Sequence, residues 1–303
     1  TSDAVGFQFH PKEVWRVNED GLVKDRYNCL TNIFQMTEKE FFTHYAATSG
    51  KKRIQLDDWR NEDAYIRTLI PDLPLSNGWI AQTLSKVIPE SAELYLGIAN
   101  SVRAWDYADS PHHLYTNANI GGYGIDGCVS TMIGASIVSP KKQFYGIFGD
   151  LAFFYDMNCL GNRHIGNNLH IIVINNDGGQ QFRNSDHPCY SLGYDSVNKY
   201  IAAAGHNGHK SSLLIRHFSE DLGFKYISAH SKDEFQSQIP AFIENGQSIV
   251  FEVFTKAEEE EFTFRTLRSL LGNPAQKSKS LKTIVKETIG IEKVQAVKSL
   301  LGL

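Results

Sequence analysis

The sequence has little of what usually announces a membrane, a metal finger or a nucleic-acid partner. Its 303 residues contain no run of about 18 apolar positions, so no membrane-spanning helix is expected. Cysteine is scarce, and Cys29, Cys128, Cys159 and Cys189 form no CxxC pair. Such thiols fit a reduced, mostly buried state in a cytoplasmic protein. Neither sign of charge dominates: 30 Lys and Arg against 34 Asp and Glu leave a net −4. That gives no electrostatic case for nucleic acid or an anionic membrane as partner. No GxGxxG follows a strand and no GxxxxGK[ST] occurs, which sets aside the common nucleotide-binding α/β proteins. Internal repeats and low-complexity stretches are absent. The opening "TSDAVGFQFH" has neither the basic nor the apolar segment of a signal peptide. It begins on Thr, as a processed chain, an excised piece or a chain that has lost its Met would.

What is present suits a globular protein, with 42% hydrophobic and 21% charged residues. This is enough for one large domain or two smaller ones. "EVWRVNEDGLVKDRYNCL" reads as a strand, a turn at Glu19–Gly21 and a second strand at the edge of a domain. Thr37, with Glu40 three residues on, is the signature of a capped helix start. Residues 51–75 carry charge and the two prolines of "IPDLPLSNG", and read as a linker or an excursion. From Ser76 the pattern becomes regular. "NGWIAQTLSKVI", "GIDGCVSTMIGASIV", "AFFYDMNCLGNRH" and "KDEFQSQIPAFIEN" read as helices. "AELYLGIANS", "QFYGIF", "LHIIVI", "FKYISA" and "SIVFEVF" read as strands between or beside them. The alternation predicts an α/β fold, a parallel sheet flanked by helices on both faces. Residues 1–60 are expected to close a preceding domain, 61–256 to form the sheet domain and 257–303 to be a helical extension.

One spacing asks for an explanation. "GDLAFFYDMN" places Asp150 just past an apolar strand, and Asn176 of "INNDGG" follows 26 residues later, just past the next. A strand–helix–strand unit of about 30 residues fits between them. Neighbouring parallel strands lie about 4.8 Å apart, so Asp150 and Asn176 would converge at one sheet edge. A carboxylate, an amide oxygen and a carbonyl from a Gly-rich turn are hard oxygen ligands, suited to Mg²⁺ carrying phosphate oxygens. Gly178 and Gly179 allow close backbone approach. A second reading stays open on spacing alone: "NNDGGQ" as a hairpin turn, with Asp150 as a helix N-cap.

These motifs resemble those of the thiamine-diphosphate-dependent enzymes, whose GD and NN pairs stand at this separation. With "GDL", "YDMN" and "NNDGGQ", the likeness is greatest to the MenD branch, the SEPHCHC synthases of menaquinone biosynthesis. "NSVRAWD" (100–106) and "GYGIDG" (122–127) sit where that branch has similar segments. The resemblance covers roughly residues 75–255. It implies that Asp150, Asn176 and Gly178 bind Mg²⁺, with Gly179 beside them. It also implies that Leu151 and Ala152 join Asp150 at the diphosphate, and that Ile125, after Gly124, props the bent cofactor. Asn100 and Ser101 complete the expected cofactor set. The carbanion chemistry belongs to thiamine diphosphate.

Two departures bear on substrate. Where the branch has arginines that help hold substrate carboxylates, this chain has Trp105 and Ile120. Such a clamp is not replaced by apolar residues without a change of ligand. Arg103 lies two positions from Trp105, out of register. The expected substrate is therefore a 2-oxo acid, decarboxylated or joined to an acceptor other than isochorismate. The resemblance also implies an activating Glu on a pyrimidine-binding domain, for which residues 1–75 have no room. A homo-oligomer or heteromer supplying that domain is expected. The alternatives are a SEPHCHC synthase with a repositioned carboxylate site, and a non-catalytic subunit that keeps the clamp.

Gln181 and Phe182 follow the clamp and are substrate-side candidates, against a loop amide and a core aromatic. His187 is a candidate acid–base group. His112, His113 and "DHPC" lack the four-ligand spacing of a zinc site and read as solvated or structural. Glu258 to Glu261 read as a solvated helix face or linker.

Overall fold

The structure, a computed structural model, describes residues 11–48, 54–110, 114–122, 124–205 and 211–270. It divides into two compact units, Thr1–Asp63 and Ala64–Leu303.

In the first unit, β1 (Val14–Val17) and β2 (Leu30–Phe34) pair parallel, with Val17 opposite Phe34. The expected turn forms: the Arg16 guanidinium grips Asp20 at 2.5 and 2.8 Å, and Gly21 takes φ +59°. The strand expected straight after it does not. Residues 22–29 are irregular, because Asp25 takes the Cys29 N–H at 3.0 Å and Asn28 sits left-handed at φ +56°. Local side-chain bonding wins there over a ladder, and parallel pairing needs a crossover in any case. The capping box forms as expected at the start of α1 (Glu38–Thr48). Glu40 N–H donates to Thr37 Oγ1 at 3.1 Å, and Thr37 N–H donates to Glu40 at 2.9 Å. Trp15, Phe34, Phe41 and Tyr45 stack into the unit's apolar cluster.

The stretch expected as a linker contains α2 (Ile54–Thr68). Its charges are carried by helix-tolerant residues, and Pro71 and Pro74 fall after Thr68, where they stop the helix rather than break it. Residues 51–53 lie outside the described residues.

The second unit holds six parallel strands: β3 (Glu93–Leu96), β4 (Tyr115–Ala118), β5 (Phe144–Gly149), β6 (Leu169–Asn175), β7 (Lys225–Ala229) and β8 (Ile249–Phe254). Their order is β4-β3-β5-β6-β8-β7. Helices α3 (Asn77–Leu84), α4 (Asn100–Asp106), α9 (Lys232–Ile243) and α10 (Ala257–Leu270) contribute to the core on one face. Helices α5 (Cys128–Val138), α6 (Asp150–Asp156) and α8 (Leu214–Asp221) contribute to the other. The expected α/β architecture is thus the observed one. Strand β6 explains why: Leu169, Ile171 and Val173 face one core and Ile172 and Ile174 the other, all fully buried. Each such side chain contributes about 1.5–3 kcal/mol. His170 is tolerated among them because Phe242 O lies 2.6 Å from Nδ1 and Gln143 Oε1 2.9 Å from Nε2, and burial keeps the ring neutral.

Strand β6 has parallel partners on both sides, and the chain leaves it through a loop and a 3₁₀ turn, Gln180–Arg183. The hairpin alternative is therefore overturned. The crossover helix begins at Asp150, two residues ahead of the expected "AFFYDMNCLGNRH", and continues as a 3₁₀ turn, Met157–Gly161. Strand β4 escaped the sequence reading. Strand β3 connects outward to β4 while β5 connects to β6 on the other side, so the order reverses between β3 and β5. Open parallel sheets bind ligands at the carboxyl ends flanking such a reversal. Residues 271–303, most of the expected extension, lie outside the described residues.

Candidate functional site

Strands β5 and β6 are in register from Phe144–Leu169 to Gly149–Ile174, which delivers Asp150 and Asn176 to the same edge. Asp150 is 3% exposed. Its Oδ2 accepts the Gly178 N–H at 2.9 Å and its Oδ1 the Leu151 N–H at 2.7 Å. Burial pushes its pKa up to about 7, against the pull of those two N–H groups and of Arg183. A bound divalent cation reverses that balance and holds the carboxylate ionised.

The loop after β6 has an unusual backbone. Asp177 sits at φ +57° and Gly178 at φ +135°. A Cβ on Gly178 would meet Ala202 O at 2.6 Å and Arg183 Nη2 at 2.9 Å, so only glycine fits. Gly179 N–H donates to Ala202 O at 2.6 Å. Asn176 is buried, and its Oδ1 has no hydrogen-bond partner among the described residues. An orphaned buried acceptor beside a buried carboxylate costs stability unless something positive engages both. Among the described residues no three His, Cys, Asp or Glu cluster as a metal site. A cation here would rely on one carboxylate plus amide and carbonyl oxygens, the donor set that suits Mg²⁺. The residues present fit that ion.

The loop is held from several sides. Arg183 donates to Asn176 O at 2.9 Å, Asp177 O at 2.6 Å and Asn198 Oδ1 at 2.7 Å. Buried Glu252 accepts from Asn175 Nδ2 and from the Tyr226 hydroxyl, both at 2.7 Å. Asn184 Nδ2 donates to Asn100 Oδ1 at 3.2 Å, tying the far end of the loop to the start of α4. None of Arg183, Asn184 and Glu252 was read as functional from sequence. For Glu252 there was a signal, a lone charge inside the apolar run "IVFEVF".

Glu258 to Glu261 correct another expectation. Glu260 is 3% and Glu261 9% exposed. Both Glu260 oxygens lie 3.1 Å from the Asn77 N–H at the start of α3, and Oε1 accepts from Thr255 Oγ1 at 2.8 Å. Burial pushes the Glu260 pKa up to about 7. Glu261 takes the Ser185 N–H at 3.1 Å and pairs with Arg265 at 3.0 Å. The buried stripe of α10 runs through Ala257, Glu260, Glu261 and Leu267, so helical periodicity turns two of the four glutamates inward.

The remaining sequence candidates fall in varied places. Ser101 is buried beside Asn100, and Ala152 is buried while Leu151 is partly exposed. Gly124 is exposed and Ile125 half-buried in the turn before α5, and Tyr123 between the glycines is outside the described residues. Trp105 is packed in the core with its Nε1 unpartnered, whereas Ile120 is half-exposed. Arg103 is half-buried, and its side chain makes no hydrogen bond or ion pair among the described residues. It lines a cleft of about 20 Å³ with Asn100 and Glu260, room for one water. Gln181 is half-buried, and Phe182 sets its ring edge-on to His187, centroids 5.1 Å apart. His187 caps the next 3₁₀ turn, its Nδ1 accepting the Cys189 N–H at 3.2 Å. His112 and His113 lie outside the described residues. A cavity of about 310 Å³ flanks the loop on the β8 side, among Asn176, Asp177, Arg183, Phe254 and Lys256, and Asp150 does not line it. The chemistry follows Asp150, so the carboxyl edge of β5 and β6 is the site of interest.

Comparison with known proteins bears on the same region. Residues 98–253 match the family described as thiamine pyrophosphate enzyme, C-terminal TPP binding domain. The chain is similar to 2-succinyl-5-enolpyruvyl-6-hydroxy-3-cyclohexene-1-carboxylate synthases. That of Phocaeicola vulgatus is 31% identical over 260 residues, 84% of this chain and 44% of that protein. That of Bacteroides thetaiotaomicron is 31% identical over 259 residues, with 84% and 44% covered. That of Christiangramia forsetii is 34% identical over 185 residues, 61% of this chain and 30% of its own. The chain spans less than half the length of these relatives. No helix among the described residues is long and apolar enough to cross a membrane.

Proposed function

The chain belongs to the thiamine pyrophosphate enzymes, and from that premise we propose that it is the diphosphate- and magnesium-binding half of an enzyme acting on a 2-oxo acid. The observation that carries the reading is the buried Asp150 carboxylate bonded to Gly178 N–H, with the orphaned Asn176 Oδ1 on the same loop. Asp150, Asn176 and the Gly178 carbonyl would hold Mg²⁺, and Leu151 and Ala152 would line the diphosphate beside Asn100 and Ser101. Ile125 would support the rings. When bound, thiamine diphosphate supplies the carbanion chemistry. The chain's own residues would bind and orient it, and Gln181, Phe182 and His187, just beyond the loop, are the candidates to meet substrate.

The activating Glu and the pyrimidine-binding domain would come from elsewhere, in a homo-oligomer or a heteromer. Apolar Trp105 and Ile120 favour a substrate that lacks the carboxylates arginines would hold there. The second reading is SEPHCHC synthase activity itself, favoured by the identity to those synthases. Turnover of isochorismate with 2-oxoglutarate, once a pyrimidine domain is supplied, separates the two. The clamp is tested by calorimetric titration of thiamine diphosphate with and without Mg²⁺. Binding that needs Mg²⁺ is expected, and its absence even with the pyrimidine domain present overturns the reading.

A further inference from the structure

Arg183 is 5% exposed, yet none of its side-chain hydrogen bonds among the described residues goes to a carboxylate. Its guanidinium is spent on neutral oxygens: two consecutive backbone carbonyls, Asn176 O and Asp177 O, and the Asn198 amide. A buried cation bonded this way has a structural task, because burial without a paired carboxylate is costly unless its nitrogens find acceptors, and here each of the three does. The geometry shows what the task is. The peptide joining Asp177 to Gly178 is planar, so its C=O and N–H point in opposite directions. The carbonyl meets Arg183 at 2.6 Å and the N–H meets Asp150 at 2.9 Å. One peptide unit is thus gripped between a positive group and a carboxylate. The preceding carbonyl, Asn176 O, is gripped too, which fixes the direction in which the Asn176 side chain leaves the backbone. This holds Asp177 and Gly178, both at positive φ, in a conformation that is strained for a non-glycine residue. The orienting Asn198 lies on α7 (Tyr194–Tyr200), and Ala202 O just beyond it takes the Gly179 N–H. Segment 194–202 therefore buttresses the loop from behind.

We propose that Arg183 is the positioning residue of this loop, a built-in cation that presets Asn176 and Gly178 before any metal ion arrives. The metal part of the test rests on the clamp reading above, while the loop part does not. In the full chain without metal, amide hydrogen exchange at Gly178 and Gly179 reports the loop directly. Arg183→Met removes all three hydrogen bonds and keeps an apolar stem. It is expected to raise exchange at both amides by about tenfold or more, with exchange in the core strand β6 unchanged. Magnesium chloride, titrated at fixed thiamine diphosphate, should then show a midpoint about 10- to 100-fold higher than wild type, as loss of an outer-shell support does. Saturating Mg²⁺ should restore protection at both glycines, and Arg183→Lys should fall between. Wild-type exchange rates in Arg183→Met overturn the proposal. So does an unchanged or lower magnesium midpoint, which would leave the guanidinium as a mere repulsive neighbour. If Arg183→Met fails to fold, Asn198→Ala removes the orienting bond alone and should move exchange the same way by less; no change there is equally fatal. Should wild type bind no magnesium with thiamine diphosphate even with the pyrimidine domain supplied, the clamp reading fails, and the metal-free exchange still decides the role of Arg183.

Discussion

Asp150 and Glu260 are both carboxylates that burial has pushed to about 7, and they reached that state by different routes. Asp150 sits at the end of a strand, on a loop built of glycine and amide. Its neighbour Asn176 keeps an unpaired oxygen, and a cation would complete both. Glu260 sits inside a helix and is already complete, with Asn77 N–H and Thr255 Oγ1 on its oxygens. The same chemical group is thus held open for a ligand in one place and used as an internal strap in the other. Burial and a raised pKa do not by themselves mark a ligand site. The unsatisfied partner does.

The sharpest way to break that comparison is to remove each carboxylate. Asp150→Ala should abolish magnesium-dependent binding of thiamine diphosphate, a loss of more than about 100-fold. Stability in chemical denaturation should fall by no more than about 1–3 kcal/mol, because orphaning the Gly178 and Leu151 N–H groups is partly offset by removal of a buried carboxylate. Retained binding would mean that the unpaired Asn176 oxygen was a poor guide. Gly178→Ala is the next largest effect. It forces a Cβ to within 2.6 Å of Ala202 O at a φ of +135°. The cost expected is about 1–3 kcal/mol in chemical denaturation, together with loss of magnesium binding. A stable, binding-competent Gly178→Ala would show that the loop can be rebuilt.

The two regions also differ in how far they could be read in advance. The β5–α6–β6 unit was legible because its strands are apolar on both faces and its polar residues stand only at the ends. "LHIIVI" cannot be half-exposed, and a carboxylate and an asparagine at the exits stand out. The Thr37–Glu40 capping box was legible for a similar reason, since both partners lie within four residues. What escaped depends on distant partners. Arg183 looks like any loop arginine until Asn176 and Asn198 fold around it. Strand β4, "YTNA", has no apolar run because it is a sheet edge, with Tyr115 exposed. Glu258 to Glu261 look alike in a row, and only the angle of α10 against α3 selects which two turn inward. Helix α2 was hidden by prolines that follow it rather than interrupt it.

A smaller effect tests that last point. Glu260→Ala leaves the Asn77 N–H and Thr255 hydroxyl without an acceptor, and should cost about 1–3 kcal/mol of stability in urea denaturation. Glu258→Ala, two positions away and exposed, should leave the urea midpoint where it was. Equal effects of the two would mean that α10 does not dock as described.

The least expected effect in size is the most specific to Glu260, and it lies in pH. Its folded pKa is raised from the ordinary 4.5 to about 7, with burial as the main cause. Between those values the folded chain holds a proton that the unfolded chain has released. The folded state then binds more protons, so stability falls as pH rises through this window and levels off above it. Below about 4.5 both states are protonated and the slope from this group vanishes. Asp150 adds a slope of the same sign in metal-free protein, so wild type alone cannot separate the two. Glu260→Gln can, since it keeps an acceptor oxygen and cannot titrate. Its unfolding free energy, followed from pH 4.5 to 7 without metal, should decline less steeply than wild type. Added Mg²⁺ with thiamine diphosphate should flatten the Asp150 share of the wild-type slope and leave the Glu260 share. Parallel curves for wild type and Glu260→Gln would mean that Glu260 is ionised in the fold, and that its bonds to Asn77 and Thr255 outweigh its burial.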